Sequence, residues 1–311
     1  AADHGPIPLN RVLLNRMAVW RSLDRGEPVG VIALSGPVDP ASLAEGLEVL
    51  GSWGHPVKTA SNLRERERYL AGSDEARLTG LLELLDRGVR TFFAARGGYG
   101  CTRLSDRLPW ERLIADEVQI VGFSDLTAVL NPLASSVVQI HGPMVAGGLA
   151  RKNNAGRLRD VLRGRLVGRT LFSIRGGSVL RHGSAEGVAV GGNLSLLSAM
   201  MGTPWEPDFS DAILFLEEVS EPPYRLDRLL THLRGSASFG GVKALIGGSL
   251  HACRPRSECA ARWRELLLES VPEGIPVIQG MPFGHAAKNL AFPVGASVEI
   301  DTRRGAVSWS V

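Results

Sequence analysis

Lysine is scarce in this chain. Only four of its 35 basic residues are lysine (Lys58, Lys152, Lys243 and Lys288), and arginine serves everywhere else. The formal charge is +3, close to neutral for 311 residues, although the sequence pI is about 9.0. The densest basic stretch, Arg64-Glu65-Arg66-Glu67-Arg68, alternates in sign and reads as a solvated helix face. A phosphate-binding strip needs charge of one sign, so no nucleic-acid partner is expected. Cysteine is also sparse. Cys101, Cys253 and Cys259 form an odd set without metal-ligand spacing, which argues against a disulfide framework and for a reducing compartment. No stretch approaches the roughly 18 uninterrupted apolar residues of a membrane span. The polar, proline-containing N-terminus lacks a cationic-then-apolar signal. A cytoplasmic location without a membrane partner is the expectation. No internal repeat or low-complexity tract is visible.

What is present is an ordinary folded composition, 44% hydrophobic and 22% charged, with length enough for two cores. The first half alternates short apolar runs with helical patterns. Val29 to Leu34 reads as a strand ending in Ser35-Gly36-Pro37, and Asp39-Pro40 starts a helix through Leu50. His55-Pro56-Val57 opens another extended segment, and residues 73–87 form an amphipathic helix stopped by Gly88. Thr91 to Ala95, Val118 to Phe123 and Val137 to Ile140 read as buried strands. Strands separated by helices indicate a parallel sheet covered on both faces, whose ligands sit beyond the carboxyl ends of the strands. After about Arg151 the pattern changes. A polar, arginine- and glycine-rich stretch carries one short helix near 155–163. From Gly187 short strands recur: Ile213 to Val219, Ala244 to Leu250, Pro276 to Gln279, Ser297 to Ile300 and Val307 to Val311, with one helix from Leu226 to Arg234. The expected fold class is α/β. A parallel-sheet, Rossmann- or flavodoxin-like domain spans residues 1–155, a linker 156–186, and a smaller β-rich, barrel-like domain 187–311.

Val-Gly-Phe-Ser-Asp-Leu-Thr at 121–127 places Ser124 where an apolar strand runs out and a helix begins. A hydroxyl on such a turn, with helix amides beneath it, suits a nucleophile. The elbow pattern is matched only in part, since Leu126 stands where a second glycine is expected, and a serine here is also an ordinary helix N-cap. Arg96-Gly97-Gly98-Tyr99-Gly100 follows another strand, and its amides can turn toward a phosphate or an oxyanion. It is not a Gly-x-Gly-x-x-Gly fingerprint and lacks an acidic ribose partner, so a dinucleotide is not expected. Glu217 and Glu218 close an apolar strand, where a carboxylate either reaches solvent or orients a histidine. Alternation sends the two to opposite faces. His285 sits in a shaped Gly-Met-Pro-Phe-Gly-His loop that suits a base, whereas His141, also after a strand, either buttresses the site or titrates in it. His4, His55, His182 and His232 are expected at the surface. No His-x-x-x-His or similar spacing supports a metal site built from His141, His285 and a glutamate.

Together these segments resemble the LD-carboxypeptidase family of serine peptidases (peptidase family S66), which also contains the microcin-C self-immunity peptidases. The resemblance runs through Ser35-Gly36-Pro37, Arg96-Gly97-Gly98-Tyr99-Gly100, Gly122-Phe123-Ser124-Asp125 and His141-Gly142-Pro143. It continues through Gly191-Gly192-Asn193-Leu194, Phe215-Leu216-Glu217-Glu218, Pro223-Tyr224-Arg225-Leu226-Asp227-Arg228 and Gly284-His285. It implies a triad of Ser124, Glu217 and His285, favouring Glu217 over Glu218, with an oxyanion hole from the backbone N–H groups of Gly98 and Asp125. Arg96, Gly97, Tyr99 and His141 are candidate substrate contacts, Arg96 for a terminal carboxylate. The implied reaction releases terminal D-alanine from murein tetrapeptides in peptidoglycan recycling, without a cofactor or metal. The family suggests a homodimer. An immunity-type peptidase acting on aminoacyl-nucleotide toxins and a non-catalytic ligand-binding module are the alternatives.

Overall fold

The computed structural model describes residues 18–310. His4, the polar N-terminal stretch and Val311 lie outside the described residues. Internal contacts divide the chain into two units. One comprises residues 18–164 with Leu290–Pro293, and the other comprises Arg165–Asn289 with 294–310.

In the first unit, β1 (Val29–Ile32), β2 (Val57–Thr59), β3 (Thr91–Ala94), β4 (Gln119–Gly122) and β5 (Gln139–His141) lie in the spatial order 2-1-3-4-5, all parallel. That is the flavodoxin-type order of a doubly wound sheet. A sixth strand, Phe292–Val294, flanks β5. Every residue of β1, β3 and β4 is buried, which is why they read as continuous apolar runs. The crossover helix Pro40–Gly51 starts where the Asp39 side chain accepts from the Ser42 amide, with proline in its first turn. Helix Asp74–Asp86 is capped by Ser73, and Asp74 and Glu75 face its positive end. Helix Thr127–Ala134, after β4, is buried on all sides. Two glutamines stitch β4 to β5. Gln139 accepts from the Ile120 amide at 2.8 Å and donates to the Val118 and Val137 carbonyls at 3.0 and 2.9 Å, while Gln119 donates to the Val138 carbonyl.

The second unit contains β6 (Thr170–Ser173), β7 (Ser178–Arg181), β8 (Ser184–Asn193), β9 (Ala212–Val219), β10 (Ala244–His251) and β11 (Val277–Gln279). The Phe292–Val294 strand of the first sheet is β12. The second sheet is completed by β13 (Ser297–Asp301) and β14 (Ala306–Trp309), in the order β6-β14-β13-β8-β9-β10-β11-β7. β8, β9, β10 and β11 are parallel neighbours, joined through helices Leu194–Met200, Pro223–Arg234 and Arg256–Glu269. The helices bury Leu197, Leu226, Leu230, Trp263 and Leu266 in one core with Leu214 and Leu245. The fold class is α/β as expected, with two departures. Residues 156–186 are not a plain linker: helix Lys152–Leu162 runs into them, and β6 and β7 are strands of the second sheet. Their partly exposed, polar sequences hid them. Helix Arg256–Glu269, unread in the sequence, presents only Cys259, Trp263, Leu266 and Leu267 inward among charged residues.

Other expectations shift too. His55 is 5% exposed, its Nδ1 3.0 Å from the Glu27 carbonyl oxygen, rather than at the surface; His182 and His232 are exposed. Arg64 to Arg68 are exposed, but they form the end of a 3₁₀ turn and an extended bridge rather than a helix face. No helix among the described residues is long and apolar enough to cross a membrane. The glutamine stitch makes a prediction. Gln139→Leu fits the volume but strands one amide and two carbonyls. It should cost about 3 kcal/mol, read as a lower unfolding midpoint; an unchanged midpoint would show that the stitch carries no stability.

Candidate active site

β4 ends at Gly122, and Ser124 follows with φ +63. That left-handed backbone costs a serine on the order of 1 kcal/mol, and it turns the chain from strand into the 3₁₀ turn Ser124–Leu126 and then helix Thr127–Ala134. The second glycine of the elbow pattern is dispensable here. Leu126 packs against Gly122, where an added Cβ would lie 2.8 Å from Leu126 Cγ.

The glycine loop after β3 reaches this turn. A Cβ on Gly97 would lie 3.2 Å from Ser124 Cβ and 3.3 Å from its Oγ, so the close approach of loop to hydroxyl depends on the missing side chain. Gly98 has φ +121. The Asp125 carboxylate is fully buried, and its Oδ2 accepts from Ser35 Oγ at 2.6 Å and from the Cys101 amide at 2.8 Å. Burial, with Asp125 second, pushes the Cys101 thiol well above its ordinary range. His141 is fully buried, stacked on Phe292 at 4.6 Å and tilted against Phe123 at 5.7 Å, so it sits behind the turn as packing. Arg96 is exposed and donates to the Pro37 carbonyl at 2.8 Å. Tyr99 is 47% exposed beside the 58% exposed Tyr69, ring centroids 5.8 Å apart.

The second unit holds a buried acid against an imidazole. Glu217, at the carboxyl end of β9, is 0% exposed, and its Oε2 lies 2.7 Å from His285 Nδ1. The His285 amide also donates to Oε2, at 3.3 Å. Gly284 makes this contact possible. At φ +101 its missing Cβ would lie 2.6 Å from Glu217 Oε2 and 2.7 Å from Ser249 Oγ. Burial opposes the charged imidazole, but the Glu217 hydrogen bond and charge outweigh it and hold the His285 pKa above its ordinary value. An imidazole bound through Nδ1 to a carboxylate has its tautomer fixed and presents Nε2 as a base.

Glu218 is also buried, and here strand alternation misleads. Asn193 Nδ2 donates to Glu217 Oε1 at 3.3 Å and to Glu218 Oε1 at 2.9 Å, so one amide bridges both carboxylates. Glu218 Oε2 takes the Ser195 amide and hydroxyl, both at 2.7 Å, at the start of helix Leu194–Met200. Burial raises its pKa despite these bonds. Sequence reasoning gave no role to Asn193, Ser35 or Cys101. The signal available for Asn193 was its position after two glycines at a strand end. Among the described residues no group of three or more His, Cys, Asp or Glu side chains is arranged to hold a metal ion.

The family model of the LD-carboxypeptidase N-terminal domain matches residues 29–142, and that of the C-terminal domain matches residues 186–300. The murein tetrapeptide carboxypeptidase of Pseudomonas aeruginosa is 32% identical over 300 residues, covering 92% of this chain and 96% of that protein. Among solved structures, the muramoyltetrapeptide carboxypeptidase of Oxalobacter formigenes is 28% identical at a TM-score of 0.75, covering 90% of this chain and 97% of that one. The structure of MccF in complex with glutamyl sulfamoyl guanosine shares the fold at a TM-score of 0.83, with 21% identity over 95% of this chain and 98% of that one. The chain belongs to the LD-carboxypeptidase family of serine peptidases and is a carboxypeptidase of the serine-hydrolase type.

Proposed function

We propose that this enzyme releases terminal D-alanine from murein tetrapeptides, with Ser124 as nucleophile, His285 as base and Glu217 as the acid that orients it. The observation that carries the reading is the 2.7 Å bond from His285 to a fully buried Glu217. His285 takes the Ser124 proton as Oγ attacks the carbonyl carbon of the L-centre. The oxyanion is held by the Gly98 and Asp125 amides. The C–N bond then breaks, His285 returns the proton to the departing D-alanine amine, and water hydrolyses the acyl-serine by the same route. The name of the Pseudomonas aeruginosa relative supports this substrate class. Tyr99 and Arg96 stand exposed at the glycine loop, where they can meet the peptide.

A second reading, cleavage of an aminoacyl-nucleotide, is favoured by one feature. The exposed Tyr69–Tyr99 pair offers an aromatic face for a base, a role that half-buried Trp205 fills less well. Incubation with a murein tetrapeptide and with an aspartyl-sulfamoyl-adenosine analogue separates the two. Free D-alanine from the first supports our reading, and turnover of the second alone overturns it.

Two further outcomes are expected. Ser124→Ala should lower kcat by about 10³-fold or more while keeping the far-UV spectrum and unfolding midpoint; hydrolysis at the wild-type rate would remove Ser124 from the reaction. The pH profile follows from the direction of the His285 shift. The base must be neutral, and its pKa is raised, so kcat/KM should fall on the acid side from a pH above the ordinary imidazole value. Glu217→Gln removes the hydrogen bond and the charge that raise it most, and leaves burial, which lowers it, opposed only by the lesser charge of Glu218. The acid limb should move to lower pH while kcat drops by about 10³-fold. An acid limb that stays in place would dissociate Glu217 from the base.

A further inference from the structure

We infer that the Asp125 side chain is a positioning residue whose Oδ2 links the two amides of the oxyanion hole through the Ser35-Gly36 loop. This rests on the serine reading above and deepens it.

Asp125 contributes to the turn twice, as a backbone amide beside Ser124 and as a buried carboxylate. Oδ2 takes Ser35 Oγ–H at 2.6 Å and the Cys101 N–H at 2.8 Å. Ser35 follows β1, Cys101 closes the glycine loop after β3, and Asp125 follows β4, so one oxygen ties the carboxyl ends of three adjacent strands. The proton count is determinate. Ser35 spends its only proton on Asp125, so the 3.3 Å contact between Ser35 Oγ and Cys101 Sγ is donated by the thiol. A thiol held protonated by burial fits that role.

The same loop sets the direction of the second amide. The Gly36 amide donates to the Gly97 carbonyl at 3.1 Å. That carbonyl belongs to the peptide unit whose N–H is Gly98, and a planar trans peptide aims its N–H opposite its C=O. Gly36 therefore turns the Gly98 N–H away from itself, on a loop so near the turn that a Cβ added at Gly97 would lie 3.3 Å from Ser124 Oγ. The connection runs from the Asp125 side chain to Ser35, through the chain to Gly36, and across to the Gly97–Gly98 peptide. Both oxyanion donors are thus referred to one oxygen.

A carboxylate near a developing oxyanion is electrostatically unfavourable, so the value of Asp125 is geometric. Both bonds land on Oδ2, and buried Oδ1 has no hydrogen-bond partner among the described residues. Asparagine can place its amide oxygen at the Oδ2 position and keep both bonds, leaving its amide nitrogen where Oδ1 stands. Alanine keeps neither.

The test compares Asp125→Asn, Asp125→Ala and Ser35→Ala, reading kcat and KM for D-alanine release, the unfolding midpoint, and inhibition by a peptide boronic acid. The boronate adduct on serine presents a tetrahedral oxygen to the same amides. Asp125→Asn should keep kcat within about threefold even though its buried amide lowers the midpoint. Asp125→Ala should lose about 10²-fold in kcat and a like factor in boronate affinity, with KM within about twofold. Ser35→Ala should fall between, near tenfold. Equal losses in Asn and Ala that track their midpoints, or a loss confined to KM, would overturn the inference, because a merely structural residue gives that pattern. If Asp125→Ala does not fold, Ser35→Ala decides: lower kcat and boronate affinity at wild-type KM support the linkage, and wild-type kcat overturns it. Failure of the serine reading is separately visible, since wild-type enzyme would then form no boronate adduct and Ser124→Ala would stay active.

Discussion

Burying a carboxylate near the end of a parallel strand is costly unless hydrogen-bond donors reach it, and this demand shapes Glu217 and Glu218 in one unit and Asp125 in the other. Glu217 meets it with the His285 ring, the His285 amide and Asn193. Glu218 meets it with Asn193, the Val219 amide and both donors of Ser195. Asp125 meets it on one oxygen with Ser35 and Cys101. Each acid is placed by the sheet and then fixes what it touches: a ring tautomer, a helix start, a turn.

On the proposed mechanism, the Glu217–His285 pair pulls stability and activity in opposite pH directions. An imidazole whose folded pKa is raised adds stability that is fully present below its unfolded value, near 6.5, and fades as pH rises through the higher folded value. A base works only after it has lost that proton. The interaction that raises the His285 pKa is therefore worth most to the fold in the pH range where the proposed base is protonated and idle. Glu218, one residue on, lies near enough for its charge to raise the His285 pKa further.

The first sheet was legible in the sequence because β1, β3 and β4 are buried end to end, so Val-Gly-Val-Ile, Thr-Phe-Phe-Ala and Gln-Ile-Val-Gly announce themselves as apolar runs. β6 and β7 were not legible, because partly exposed strands carry no such run. The strand-to-helix change singled out Ser124 as a candidate without separating a nucleophile from a helix N-cap, and the rigid loop singled out Gly284-His285. The choice between Glu217 and Glu218 was out of reach of alternation, because at the strand end both carboxylates bend to the same Asn193 amide. Asp125 hid its second role for a different reason. Its partners lie 90 and 24 positions away, and only the folded sheet brings them to it.

A strained serine and a buried acid are both expensive, and the fold holds them by the same means. Ser124 keeps φ +63 because β4 is fully buried before it, helix Thr127–Ala134 is buried after it, and Phe123 is wedged against His141 beneath it. The His141 ring packs beneath the turn, between Phe123 and Phe292. The chain returns after Asn289 for the short stretch Leu290–Pro293, and Phe292 completes the stack on the other side of that ring. Ala291 packs at Gly142, where an added Cβ would come within 3.1 Å of it, so the same return also closes the backbone after β5. Two and three residues past Asn289, Ala291 and Phe292 already support the segment that carries the serine. A substitution of Phe292 would therefore be felt first at His141 and through it at Phe123 and the turn it holds, because core packing passes displacement on rather than absorbing it.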